Sequence, residues 1–353
     1  MRVAILGAGG TIAPAIVRDL AETDEVDEML LVDLDAARAR ATADHHGGDK
    51  ALVADAVDGA DVVINSAGYR INVDAMRWSL EEGAHYIDLG GLYWMTGRQL
   101  ELHEEFERAG LLAVLGMGSS PGKTNVMALH AARALGAQTL DSVHVAAGGR
   151  DLDPPDGESF PYALQTLVDE LTMKPIVIRD GEPVEVEPMQ PGGKVRFADP
   201  IGEGETIHTI HSEMRTFPAS FGCREASFRL SLAPALLERL RQLAAAGEEE
   251  RAAVAARALP PSPQTVSSHV VEARAAGRSA RVTSFTPPRE EWGLGGGIVS
   301  TAAPAAAVVR LLARGVVEAR GALPPEQCID PDALFPELER RGNRIETVTE
   351  VLA

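Results

Sequence analysis

Short apolar runs alternate with amphipathic stretches through the first third of the chain. The runs at 2–6, 29–33, 50–54, 61–65, 84–89 and 111–115 read as strands, and stretches between them, such as 70–83 and 97–109, read as helices. Strands alternating with helices predict a parallel sheet wound on both faces. After about residue 140 the texture changes. A strand is expected at 142–147, a hairpin at 175–187 turning at Asp180-Gly181, and a second hairpin at 267–285 turning at Ala276-Gly277. The stretch 244–258, rich in Ala, Glu and Arg, reads as a solvent-facing helix. These antiparallel signals predict an α+β insert. A helical pattern then returns at 301–314, apolar on most sides and closed by Gly315. It reads as a buried helix going back to the first domain. The glycines of 293–297 before it read as a mobile or backbone-close loop.

The first two strands frame a specific turn. Residues 1–13 run Met-Arg-Val-Ala-Ile-Leu-Gly-Ala-Gly-Gly-Thr-Ile-Ala, and the second strand ends Leu30-Leu31-Val32-Asp33. A strand, a glycine turn, a helix start and a carboxylate after the next strand form the plan of a dinucleotide site. Gly7 permits the tight turn, and Gly9 lets the backbone approach a pyrophosphate. Gly10, Thr11 and Ile12 lead into a helix start whose N–H groups face the anion. Asp33 suits a ribose diol and repels a 2′-phosphate, so NAD is expected over NADP. Ala13 stands where a third glycine often does and is small enough for close helix–strand packing. Pro14 falls in the first helical turn, where its missing N–H costs little. Asp55 could face the adenine or cap a loop, and Asn65, Ser66 and Ala67, at the end of the strand 61–65, are candidate cofactor contacts. The expected fold is α/β: a Rossmann doubly wound parallel sheet over 1–125, an α+β substrate and dimerisation insert over 126–295, and a C-terminal segment, 296–353, packing back on the Rossmann domain.

Composition narrows the partners. The 353 residues are 45% hydrophobic, enough for two domains with sizeable cores. A net charge of −19 argues against nucleic acid and anionic membranes. No run approaches the ~20 apolar residues of a membrane span. The N-terminus opens directly on a strand, which does not read as a signal peptide. Cys223 and Cys328 are too few for a disulfide framework or a zinc cluster. A cytoplasmic protein, forming a homodimer or higher oligomer and acting on a small amine or amino acid, is the expectation.

Open parallel sheets bind ligands beyond the carboxyl ends of their strands. Three such ends carry candidate chemistry: Asn65 to Tyr69, Ile87 to Gly91, and Gly116 to Asn125. Asp88 could orient a substrate amine, accept a proton, or simply cap a loop, with Gly90 of the same turn a candidate substrate contact. Tyr69 could donate to a carboxylate, cover a nicotinamide, or pack. Gly122-Lys123-Thr124 imitates the end of a phosphate loop, but Met117 stands where that motif needs its first glycine. The segment reads instead as a helix start for a carboxylate, with Lys123 and Asn125 as substrate contacts. In the insert, His208-Thr209-Ile210-His211-Ser212-Glu213 concentrates titratable groups. His208 is a candidate substrate contact, and His211 or Glu213 a general base; surface positions on a strand are the alternative. Two histidines three apart lack a third ligand, so no metal is expected.

Taken together, the glycine turn, Asp61–Asn65, Tyr86-Ile87-Asp88-Leu89-Gly90-Gly91 and Pro121-Gly122-x-x-Asn125 resemble the saccharopine dehydrogenase-like family. The helical 301–314 stretch with Arg314-Gly315, Arg320-Gly321 and Pro324-Pro325-Glu326-Gln327 resembles most the bacterial lysine 6-dehydrogenases within it. The resemblance implies NAD(P)-dependent oxidation at a carbon–nitrogen bond. For the lysine-specific members that means deamination of the 6-amino group to a semialdehyde, which cyclises to a piperideine carboxylate. Relatives reduce imines to saccharopine or carboxynorspermidine. Ser120 stands where saccharopine reductases tend to carry aspartate, and Lys123 is not typical of the lysine-specific members. A non-catalytic NAD-binding protein is the reading of another class. Short-chain dehydrogenase chemistry is disfavoured because no tyrosine is followed by lysine four residues on: Val73, Gly90, Gly97 and Thr166 occupy those positions.

Overall fold

A computed structural model describes residues 1–352, which form two compact units. The first comprises Met1–Val126 and Ile298–Arg341. Its chain opens β1 (Arg2–Leu6), α1 (Ala13–Ala21), β2 (Glu28–Val32), α2 (Ala36–His46), β3 (Ala51–Ala54) and β4 (Val62–Asn65). It continues through α3 (Asn72–Glu82), β5 (His85–Asp88), α4 (Leu92–Leu100), α5 (His103–Arg108), β6 (Leu112–Val114) and the start of α6 (Lys123–Leu135). The expected helix over 97–109 is thus two helices.

The second unit comprises Met127–Gly297 and Gly342–Ala353. It holds β7 (Ser142–Asp151), α7 (Leu164–Thr172), β8 (Ile176–Arg179), β9 (Glu182–Glu185), β10 (Pro191–Arg196) and β11 (Glu203–His208). There follow α8 (Glu213–Phe221), β12 (Glu225–Ser231), α9 (Pro234–Ala245), α10 (Glu248–Arg257), β13 (Thr265–Ala275) and β14 (Arg278–Thr286). The chain re-enters the first unit in α11 (Gly296–Ala313), which leads to β15 (Gly321–Leu323), α12 (Pro325–Cys328) and α13 (Pro331–Glu339). It ends with β16 (Arg344–Val351) in the second unit.

The first sheet runs β15-β6-β5-β4-β1-β2-β3, with every pair parallel. The strand order reverses between β1 and β4, the topological switch point where such sheets bind ligands. In register, Asp88, Asn65, Leu6 and Val32 lie side by side at the carboxyl ends of β5, β4, β1 and β2. Helix α1 buries Ile16, Val17 and Leu20 on its inner side. Asp19, also buried on α1, accepts hydrogen bonds from Arg310 of α11 and from Arg341, each at 2.7 Å. Arg310 also donates to Glu337 of α13 at 2.7 Å.

Helix α11 is long and apolar enough, by length and composition, to cross a membrane, contrary to the expectation that no run comes near that limit. Within this protein 78% of it is buried, so its apolar surface is already used by the core.

The second sheet runs β10-β11-β12-β7-β13-β14-β16, with the β8–β9 hairpin hanging from β12. Only β12 and β7 are parallel. Both expected hairpins form, and Asp180 and Ala276 take positive φ at their turns. Two expectations are corrected. The stretch 244–258 is divided between α9 and α10, because Gly247 separates two helical runs. The tail beyond 342 does not pack with the first sheet: β16 pairs with β14 over eight residues and extends the second. Of the two readings for 293–297, the backbone-close one fits the structure. A Cβ on Gly295 would lie 2.1 Å from Thr265 Oγ1, and one on Gly296 2.2 Å from the Thr286 carbonyl.

Candidate active site

The glycine turn has the shape a dinucleotide needs. Gly7 has φ +75°, and a Cβ there would lie 2.6 Å from the Ala67 amide. A Cβ on Gly9 would lie 2.6 Å from Arg38 Cβ and 3.2 Å from Asp33 Oδ2. The Gly9 N–H donates to Asp33 Oδ2 and the Asp35 N–H to Asp33 Oδ1, both at 2.8 Å. Asp33 is therefore held at the turn with its carboxylate across from the glycines. Helix α1 has Pro14 in its first turn and Ile12 at its N-cap, with no side-chain cap. Among the described residues the Thr11 and Ile12 amides have no protein acceptor. Uncapped amides on a nine-residue helix suit a diphosphate. The residues present thus fit a dinucleotide. Ser66 is anchored beside the turn, its hydroxyl donating to the Leu6 carbonyl at 2.7 Å, and Asp55 lies exposed beyond β3.

Beneath the adjacent strand ends runs a buried chain of polar side chains. Asn65 Nδ2 donates to Asn72 Oδ1 at 2.8 Å, and Asn65 Oδ1 accepts from the Ala67 amide. Asn72 Nδ2 donates to Gln99 Oε1 and to the Gly90 carbonyl. Gln99 Nε2 donates to Asp88 Oδ2 at 2.5 Å. Asp88 Oδ1 accepts the Gly90 and Gly116 amides, each at 2.8 Å. This network ties together the ends of β4, β5 and β6.

Several expected contacts are corrected by that arrangement. Asn65 is committed to its neighbours rather than turned toward a cofactor. Asp88 is fully buried, with both oxygens engaged; burial pushes its carboxyl up to about 6 against the donors that favour its charge. It is a strut rather than an amine ligand. Gly90, at φ +140°, serves the turn: a Cβ there would lie 3.0 Å from Pro121 Cδ. Asn125 accepts the Gly122 amide and donates to Glu326 Oε2 at 2.7 Å, fastening α6 to α12. Lys123 is not presented to an anion. It is fully buried, donates to Ser300 Oγ at 2.7 Å, and burial pushes its ammonium down to about 7. Tyr69 packs against the core beside the sheet, with the Arg70 guanidinium 5.1 Å from its ring centre.

The second unit carries the other candidates. The histidine segment leaves the sheet at His208, so His211 and Glu213 sit at the entry to α8 rather than on a strand surface. Both are buried. His211 Nδ1 binds Glu213 Oε2, and the ring stacks on Phe228 of β12 with centroids 3.6 Å apart and planes 12° from parallel. Burial disfavours the charged imidazole. The charge and hydrogen bond of Glu213, with the charge of Glu170, outweigh it and raise its pKa above 6.5. His208 has the opposite setting: burial and the Arg229 charge lower its pKa, and its Nδ1 is buried without a partner. Tyr162 and Glu170 escaped the sequence reading. Tyr162 donates its hydroxyl to Glu170 Oε2 at 2.6 Å, and burial pushes the Glu170 carboxyl up to about 7. Among the described residues no metal-ligand cluster occurs.

Residues 3–114 match the family model of the saccharopine dehydrogenase NADP-binding domain. Over those residues the chain is similar to that NADP-binding domain. A nicotinamide dinucleotide is accordingly the cofactor of its first unit, in keeping with the glycine turn. A curated relative, carboxyaminopropylagmatine dehydrogenase of Synechocystis, is 26% identical over 270 residues, covering 70% of this chain and 66% of the relative. The match thus spans just under two thirds of that relative's length. Saccharopine dehydrogenase (L-Glu forming) of Saccharomyces cerevisiae has the same fold, with a TM-score of 0.70 at 15% identity, covering 99% of this chain and 100% of that one. The likeness in fold therefore takes in residues of both units.

Proposed function

We propose that the protein is an NAD-dependent dehydrogenase that oxidises the C–N bond of an amine derived from an amino acid. The buried His211–Glu213 pair carries this reading, because oxidising an amine requires a base for the nitrogen proton. When bound, the nicotinamide supplies the two-electron acceptor that takes hydride from the carbon bearing nitrogen. The chain's own work is to hold and move the proton. Glu213 binds Nδ1 and so presents Nε2 as the nitrogen that takes the proton from the substrate N–H. Loss of hydride and proton leaves an imine, which water cleaves to a carbonyl and an amine.

A substituted amine is the favoured substrate, since the relatives are named for saccharopine and carboxyaminopropylagmatine, both N-substituted. A second reading, deamination of L-lysine at the 6-amino group, rests on the Asp88-Leu89-Gly90-Gly91 run and the C-terminal pattern. Following nicotinamide absorbance with carboxyalkylated amines and with lysine separates the two. Turnover of lysine alone selects the second, and turnover of alcohols alone rejects both.

Asp33 makes the cofactor choice testable. Its carboxylate sits at the turn where a 2′-phosphate would be repelled. Asp33→Ser is expected to weaken NAD binding by roughly tenfold and to narrow or reverse the preference over NADP, on the scale of one charge-assisted hydrogen bond. Fluorescence titration of the two reduced cofactors measures it, and an unchanged ratio would refute the assignment.

A further inference from the structure

The second sheet ends in two edges, β10 and β16, and they are built differently. An edge strand offers a row of unpaired N–H and C=O groups to any other strand. On β10 that row is broken. The strand opens on Pro191, which has no N–H, shifts register between Pro191 and Gly193, and carries Lys194. On β16 nothing breaks it. Arg344–Val351 holds no proline, glycine or lysine, and it pairs with β14 over eight residues without a shift of register. Among the described residues its outer side meets no other strand. Every residue of β16 except Ile345 is exposed.

The side chains of β16 alternate between the two faces of the sheet. Arg344, Glu346, Val348 and Glu350 share one face, and Ile345, Thr347 and Thr349 the other. The Arg344 guanidinium lies 4.7 Å from the Phe285 ring centre, over the neighbouring strand. Among the described residues Arg344, Glu346 and Glu350 have no ion-pair partner.

We propose that β16 pairs antiparallel with β16 of a second copy of this chain, about a two-fold axis at Thr347, so that two second sheets join into one. A two-fold axis normal to the sheet reverses the strand and keeps each face on its own side, so opposed residues belong to the same face. Charge then selects the register. Centred on Glu346, the strands set Glu346 against the partner's Glu346. Centred on Val348, they set Glu346 against the partner's Glu350. Like charges directly opposite are unfavourable. Centred on Thr347, they set Arg344 against the partner's Glu350 at both ends, Glu346 against the partner's Val348, and Thr347 against its own copy. That register pairs residues 344–350 and opposes no like charges. It also supplies the guanidinium–carboxylate pairs that these side chains lack within one chain.

The test reads the oligomer of the full chain by sedimentation equilibrium and the register by cross-linking. The parent is expected to form a dimer. Arg344→Glu and Glu350→Arg should each raise its dissociation constant by about tenfold, since each turns two attractive pairs into repulsive ones. The two changes combined restore opposite charges and should return the dimer. Both side chains are exposed, so the fold is retained. Under mild oxidation Thr347→Cys should give a linked dimer, because the two copies face each other across the axis within disulfide reach. Thr349→Cys, whose copies stand on opposite sides of the axis, should link no more than the parent, in which Cys223 and Cys328 set the background. A parent that stays monomeric at every concentration overturns the proposal. So does a dimer that both charge variants leave unchanged and that links no better through Thr347→Cys than through Thr349→Cys, since another surface would then hold it.

Discussion

His211→Asn should lower kcat for amine oxidation by about a hundredfold to ten-thousandfold, the span over which a positioned base contributes, while leaving dinucleotide affinity unchanged. The asparagine amide can still donate to Glu213, so the buried carboxylate keeps a partner and the fold is retained. What it lacks is a second nitrogen that accepts a proton. The same geometry sets the pH dependence. His211 accepts a proton only when neutral, and its folded pKa lies above 6.5. Oxidation should therefore rise with pH through that higher value and level off above it; reduction of the imine should favour the protonated ring and fall over the same range. Steady-state rates over pH for the two directions check both limbs. An acidic limb retained unchanged in His211→Asn would assign it to another group.

The second large effect is on stability. Asp19→Ala should destabilise the protein by about 3–5 kcal/mol, the usual cost of breaking a buried ion pair by removing one partner. Asp19 is fully buried and bonds Arg310 and Arg341. Its loss leaves Arg310, 1% exposed, with Glu337 as its remaining carboxylate. Arg310→Met should cost less, because Asp19 keeps Arg341 and Glu337 keeps Arg314 and Arg340. The order of the two variants in denaturant unfolding is the test, and equal stability of Asp19→Ala and the parent would show that the network does not fasten α11 and α13 to α1. The link to function is that α1 begins at the dinucleotide turn. A loosened α1 should also weaken NAD binding, although Asp19 lies toward the far end of α1 from the glycines.

Much of the first unit was legible in the sequence for a physical reason. Parallel strands buried on both faces must be apolar throughout, so β1, β2 and β4 appear as plain runs. Gly7, Gly9 and Asp33 are legible because close backbone approach demands glycine and the Gly9 amide is met by a carboxylate at a fixed place. Asp88 and Lys123 were misplaced because a charge at a strand end or helix start can turn outward to a ligand or inward to the backbone. Two inward amides decide the first case, and a buried hydroxyl decides the second. Asn72 and Gln99 gave no signal, since their partners come from other elements. Glu170 resembles an ordinary acid of an amphipathic helix until α9 and α10 bury α7. His211 stood out by composition as a candidate, but its burial depended on the chain leaving β11 at His208.

The most direct test of C–N oxidation follows the hydrogen itself. An amine turned over by the enzyme is prepared with deuterium on the carbon bearing nitrogen and incubated with NAD, and the reduced cofactor is analysed by mass spectrometry and NMR. The account predicts one deuterium on the nicotinamide ring of each NADH formed, matched by one equivalent of carbonyl product. Unlabelled NADH from the labelled amine, or label arriving only from a carbon bearing a hydroxyl, would contradict it.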